Sequence, residues 1–123
     1  MDKLDEEVIS RLETERNIWI ATVRADKRPH LVPIWFVYTA GNFYICIEPN
    51  SVKAKNMLVN PNAYLALENG SNPVICEGNA STLGHKHPEN IVRLFLEKYE
   101  WNIDQEERYT DLFVIKPLKW LIW

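Results

Sequence analysis

Glycine is scarce in this chain, with four among 123 residues. None falls in a G-x-G-x-x-G or G-x-S-x-G arrangement, so a Rossmann dinucleotide loop and a nucleophile elbow are excluded. A nicotinamide cofactor, if used, must visit without a dedicated domain. Cysteine is scarcer still. Cys46 and Cys76 sit in apolar, β-like segments without CxxC spacing, so two buried reduced thiols are expected over a disulfide or a reactive thiol. No excess of positive charge exists either: 14 basic against 17 acidic side chains leave a net charge of −3. That gives no broad field for a polyanion, and nucleic acid is not an expected partner. Long apolar runs are also missing. Leu31 to Tyr38 and Tyr64 to Leu67 are strand-length, far below the roughly 20 residues of a membrane helix. The acidic opening Met1-Asp2-Lys3-Leu4-Asp5-Glu6-Glu7 has no basic-then-apolar layout, which reads as cytoplasmic.

What remains is an ordinary globular composition, 46% hydrophobic and 25% charged, expected to form one domain over 1–123. Leu4, Val8, Ile9 and Leu12 recur at helical spacing behind Asp2 as a cap, predicting a helix over 3–16. From Ile18 onward, β-branched and aromatic runs alternate with turn residues, predicting strands at 18–24, 29–38, 42–48, 62–69, 73–83 and 110–117. The short connections Ala25-Asp26-Lys27-Arg28 and Thr39-Ala40-Gly41-Asn42 predict antiparallel hairpins. Ser51 to Asn60 reads as a short helix ended by Pro61. Pro88 opens a third, with Ile91, Leu94, Phe95 and Tyr99 inward. The fold class is mainly β: a six-stranded antiparallel barrel with α-helices at its start and crossings. The charged stretch 102–108 reads as a loop.

The second helix carries a mismatch. Its first turn, Asn50-Ser51-Val52-Lys53-Ala54-Lys55-Asn56, has two lysines and no acid. Cations there oppose the helix dipole by about 0.3–1 kcal/mol each. A phosphate at that end would remove the penalty, accepting from backbone N–H groups, the Ser51 hydroxyl and the Asn56 amide, with Lys53 and Lys55 supplying charge. Lysines pointing into water explain the same residues.

The succession Ile20-Ala21-Thr22-Val23, Pro29-His30-Leu31-Val32-Pro33-Ile34-Trp35-Phe36, Phe43-Tyr44-Ile45-Cys46-Ile47, Ser51-x-Lys53-x-Lys55-Asn56-Met57-Leu58-x-x-Asn60-Pro61 and Glu77-Gly78-Asn79-Ala80 closely resembles the pyridoxamine 5′-phosphate oxidase-like family of FMN-binding split barrels. The likeness covers about residues 4–83, with a weaker echo at Phe113 to Trp120. It implies that Ser51, Lys53, Lys55 and Asn56 hold the flavin phosphate. Val32, Pro33, Ile34 and Trp35 would run beside the isoalloxazine ring, with Ile47 and Glu48 near the ring or ribityl chain. It also implies a homodimer in which a C-terminal tryptophan, Trp120 rather than Trp123, packs near the flavin. Two departures stand out. The usual Asp-Gly turn is Asp26-Lys27, which demands another turn or a positive φ at lysine. The arginine with which longer members hold a substrate phosphate is replaced by His30, so true pyridoxamine-phosphate oxidation is not expected.

The expected activity is that of an FMN-dependent oxidoreductase or flavin reductase acting on a small molecule, with NADH or NADPH as candidate donor. No residue announces itself as acid, base or nucleophile. A deazaflavin-dependent reductase and a non-enzymatic flavin- or haem-binding protein remain alternatives, with His85 or His87 as the candidate haem ligand. His30, His85 and His87 lack supporting cysteine or carboxylate spacing, so no metal site is expected. Trp19 and Trp35 read as core, while Leu118 to Trp123 reads as an apolar tail buried against a partner.

Overall fold

The computed structural model describes residues 4–123. Helix α1 (Glu6–Thr14) is shorter than the expected 3–16. Asp5 caps it by accepting the Val8 N–H at 2.9 Å, and Glu15 turns extended at its end. Asp2, the expected cap, lies outside the described residues. Val8 and Leu12 are buried one helical turn apart, as the spacing requires.

Seven strands follow: β1 (Ile18–Val23), β2 (Pro29–Ile34), β3 (Val37–Thr39), β4 (Asn42–Ile47), β5 (Asn62–Leu67), β6 (Val74–Gly84) and β7 (Asp111–Ile122). All pair antiparallel, in the order β2-β1-β5-β6-β7-β4-β3. The edge strands β2 and β3 are separated in the chain by only Trp35 and Phe36. The sheet must therefore curl until its edges meet, which makes a split barrel. Every strand sends side chains into one core, from Ile18 and Ile20 of β1 round to Phe113 and Ile115 of β7, with Val32, Ile34 and Tyr38 packed against it.

The expected strand 29–38 is two strands because the backbone of Phe36 bonds to side chains instead of a neighbouring strand. Its N–H donates to the Tyr99 hydroxyl at 2.9 Å, and its carbonyl accepts from Lys98 Nζ at 2.9 Å. Both partners come from helix α3 (Glu89–Tyr99), which covers this seam with Ile91, Phe95 and Tyr99. Helix α2 (Val52–Val59) crosses beneath β1, docked by a buried bond of 3.0 Å from Asn56 Nδ2 to the Thr22 hydroxyl.

The last strand is longer than the expected 110–117. Pro117 has no N–H for the ladder, but a register shift at Glu77 and Gly78 places it opposite Gly78 and leaves Leu118 without a partner. Beyond this bulge the strand resumes, pairing Trp120 with Cys76 and Ile122 with Val74. The expected tail is therefore part of the sheet. Gly78 is needed at the crossing, because a Cβ there would lie 2.6 Å from Ile115 Cγ2 and 3.1 Å from the Lys116 carbonyl.

Two tryptophans expected in the core are not there. Trp19 is 37% exposed because Ile18 and Ile20 take the inward positions of β1. Trp35 is 43% exposed at the seam, stacked on the Tyr99 ring at 4.4 Å. The turn at Lys27 takes the positive-φ solution, +73°, and the second hairpin turns through Ala40 and Gly41 at +50° and +80°.

Candidate functional site

A cleft of about 430 Å³ opens where the end of β2, the end of β4 and the first turn of α2 converge, a volume suited to a small cofactor. Its lining is Pro33, Ile34, Trp35, Cys46, Ile47 and Lys53, closed on another side by Trp101, Glu106 and Tyr109. Five sequence-predicted residues, Pro33, Ile34, Trp35, Ile47 and Lys53, are thus brought together. Val32 lies one step along β2 and packs against the core. Glu48 follows β4 and accepts from Arg108 Nε at 3.1 Å, tying the 102–108 stretch to the cleft.

The other predicted residues sit differently. Ser51 caps α2: its hydroxyl donates to the Glu48 carbonyl at 2.8 Å and accepts the Ala54 N–H at 3.3 Å. Asn56 is buried and turned to Thr22. Both act on the helix, fixing where its amino end points. Lys55 is exposed and outside the cleft lining. Trp120 packs against Tyr38 and Phe43 and borders a separate cavity with Leu4, Ile9 and Pro117.

The electrostatics at the amino end of α2 favour an anion. The Ser51 and Ala54 N–H groups are satisfied by Glu48 and Ser51, while those of Val52 and Lys53 have no partner among the described residues. No acid occupies the first turn. Burial holds the Lys53 ammonium below its ordinary pKa, opposed by the Glu48 charge. His30 lies across from Thr22 in the β1–β2 ladder. Its pKa is held below the ordinary 6.5 by burial first, then by Arg24 and Lys53.

The far wall was not foreseen. Trp101 Nε1 donates to Glu106 Oε1 at 2.7 Å, and the Trp101 ring meets Trp35 and Tyr109 edge to face. Cys46 Sγ donates to the Tyr109 carbonyl at 3.2 Å. Burial, with Asp111, Glu106 and Asp104 nearby, pushes the Cys46 thiol up to about 12. It is a strap for this wall and no nucleophile. The one available signal was an aromatic residue at each end of a charged stretch.

The other histidines lie elsewhere. His87 Nε2 sits 2.8 Å from the Thr110 carbonyl, which can only accept, and Nδ1 lies 2.9 Å from Asp104 Oδ1. Both ring nitrogens are thus engaged within the chain, whereas His85 is exposed and lies 3.6 Å from Asp111. Among the described residues, no three His, Cys, Asp or Glu side chains are grouped to hold a metal ion.

An antiparallel split barrel with a cofactor-sized cleft between its strand ends and a helix N-terminus defines the class. The chain belongs to the pyridoxamine 5′-phosphate oxidase family, whose profile matches residues 4–123. Among solved structures it resembles an F420 reductase, with 17% identity and a TM-score of 0.79 over 96% of this chain and 98% of that one. It also resembles HutZ, the heme storage protein of Vibrio cholerae, at 20% identity and TM-score 0.81 over 98% and 95% of the two chains. HupZ of Group A Streptococcus is similar at 12% identity and TM-score 0.72, covering 97% and 94%. At these identities the likeness is one of fold. No curated protein matches the chain.

Proposed function

We propose that the protein binds flavin mononucleotide in this cleft and uses it to pass electrons or hydride to a small molecule. The observation that carries the reading is Lys53, a half-buried cation in the first turn of a helix with no acid there, facing an otherwise largely apolar cleft. A phosphate at that end offsets the desolvation of Lys53 and accepts the free N–H groups of Val52 and Lys53. Pro33, Ile34, Trp35 and Ile47 offer apolar and backbone surface to a flat ring, and Trp101 and Tyr109 exclude water from it. Val32 and Glu48 hold the strand ends, Ser51 and Asn56 aim the helix, and Lys55 adds charge at its surface. Flavin, when bound, supplies the redox chemistry, and the chain's residues bind and orient it.

A homodimer belongs to the same reading. The outward face of β2-β1-β5-β6-β7 carries a row of Pro33, Trp19, Ala66, Ile75 and Leu121 in register. A second copy would cover this row next to the cleft, and the partner's C-terminal strand, with Trp120, would be the candidate to close the ring's open side. Among the described residues no helix is long and apolar enough to cross a membrane.

Similarity to an F420 reductase supports a second occupant. The deazaflavin cofactor also carries a phosphate on its ribityl chain, which would use the same Lys53 end. The absorbance of the purified protein separates the occupants. Two visible bands, with FMN released on denaturation, are expected. A single deazaflavin band, or the intense band of haem, would overturn the FMN assignment.

A further inference from the structure

Resting on the flavin reading, we propose that the wall formed by Trp101, Glu106 and Tyr109 is the substrate subsite of the cleft and takes a methylated or quaternary ammonium group. Lys53 and Glu106 are the two charged residues of the lining. A phosphate answers Lys53, which leaves Glu106 as the charge that a substrate meets. Glu106 Oε1 accepts from Trp101 Nε1 at 2.7 Å, and Oε2 lies 3.5 Å from the Tyr109 backbone nitrogen. Among the described residues no lysine, arginine or histidine forms an ion pair with it. The two neutral donors orient the carboxylate without cancelling its charge.

The rings beside this carboxylate are set for a cation. Trp101 stands 5.9 Å from Trp35 with the planes at 72°, and 6.3 Å from Tyr109 at 83°. Neighbouring rings near a right angle form a corner in which a cation meets more than one negative π face. Trp35 and Tyr109 are 43% and 39% exposed, so the corner offers open aromatic surface. Tyr99 stacks on one face of Trp35 at 4.4 Å, and the Arg16 guanidinium lies nearer the Tyr99 ring, at 4.9 Å, than the Trp35 ring, at 5.7 Å. Arg16 is therefore on the Tyr99 side of the stack and leaves the other face of Trp35 free of both. Arg108, 5.5 Å from the Tyr109 ring, is already paired with Glu48. A bare ammonium is held by water, whereas methyl groups weaken that hydration and bury against the rings. An aromatic wall carrying one carboxylate thus selects a methylated ammonium over an anion. The group serves as a handle, and no bond to it is made or broken.

The test uses tetramethylammonium as probe and tert-butanol, neutral and of similar shape, as control. Each is titrated by calorimetry, at constant ionic strength, into cofactor-free and FMN-loaded protein. Tetramethylammonium should bind wild type more tightly than the alcohol, with FMN present or absent. Glu106→Gln, whose amide oxygen can still accept from Trp101, should weaken the cation about tenfold, the effect of one unit charge lost a few Å away in a half-exposed site. The alcohol should bind this variant as it binds wild type, which also verifies the fold. Tyr109→Leu alters an exposed side chain and keeps the backbone carbonyl that Cys46 uses. It should weaken the cation about two- to thirtyfold, the range of one cation–π contact. Equal affinity of wild type for cation and alcohol, or undiminished cation binding in Glu106→Gln, would overturn the subsite. Displacement of the cation by FMN would overturn its place beside the flavin. Selective cation binding by a wild-type protein that does not take up FMN would overturn the flavin reading and leave the cation site standing.

Discussion

Replacing Tyr99 by phenylalanine removes one oxygen from the place where the barrel is split. That oxygen accepts the Phe36 N–H at 2.9 Å and lies 2.8 Å from the Phe36 carbonyl and 2.7 Å from the Arg16 carbonyl, between which its single proton is shared. Phe36 is 0% exposed, so water cannot replace the lost acceptor. Its carbonyl still holds Lys98 Nζ, and the ring at position 99 keeps its stack on Trp35. The loss is therefore dominated by one orphaned buried N–H, a cost of about 1–3 kcal/mol. A value near 2 kcal/mol would shift the ratio of folded to unfolded molecules by about thirtyfold. Urea unfolding followed by tryptophan fluorescence should show a lower midpoint with an unchanged slope, since the surface exposed on unfolding stays the same. A loss below about 0.5 kcal/mol, the level of an ordinary surface change, would refute the claim that Tyr99 satisfies the seam.

Gly78→Ala should destabilise by about 1–3 kcal/mol, because its Cβ meets Ile115 Cγ2 at 2.6 Å and Ile115 is fully buried; thermal unfolding would measure it, and a neutral result would contradict the close crossing of β6 and β7. Cys46 and Cys76 should resist a thiol reagent at neutral pH until the protein is unfolded, since burial pushes both up to about 12. Their folded pKa lies above the ordinary 9.0, so their contribution to stability is fully present below about pH 9 and lost as pH rises through about 12. Cys76→Ala should accordingly lose less stability than wild type over that alkaline window in pH-dependent urea titrations, and parallel curves would contradict the assignment.

The alternation of β1, β5 and β6 was readable because one face of each is buried and the period is two. The same reading missed the break at Phe36, since the partners of its backbone, Lys98 and Tyr99, lie 62 and 63 residues away. The expected strand 110–117 ends at Pro117, which has no N–H for the ladder, and the bulge that carries β7 past it is set by Gly78 on a different strand. Lys53 stood out through a local conflict between charge and helix dipole, and the structure turns it into the cleft. Trp101, Glu106 and Tyr109 did not, because their place depends on the contacts of Tyr109 with Cys46 of β4 and of Arg108 with Glu48. Whether Ser51 and Asn56 serve the helix or a ligand was equally hidden, since either use calls for the same polar residues.

The central claim is that Lys53 faces a flavin phosphate, and fluorescence titration of cofactor-free protein with FMN and with riboflavin tests it directly. Wild type should bind FMN more tightly than riboflavin. Lys53→Ala should lose about 1.5–3 kcal/mol of FMN affinity, roughly tenfold to more than a hundredfold, with riboflavin unaffected. Lys55→Ala, altering an exposed side chain outside the cleft lining, should lose less. Equal losses for the two ligands in Lys53→Ala, or no preference for FMN in wild type, would contradict the account.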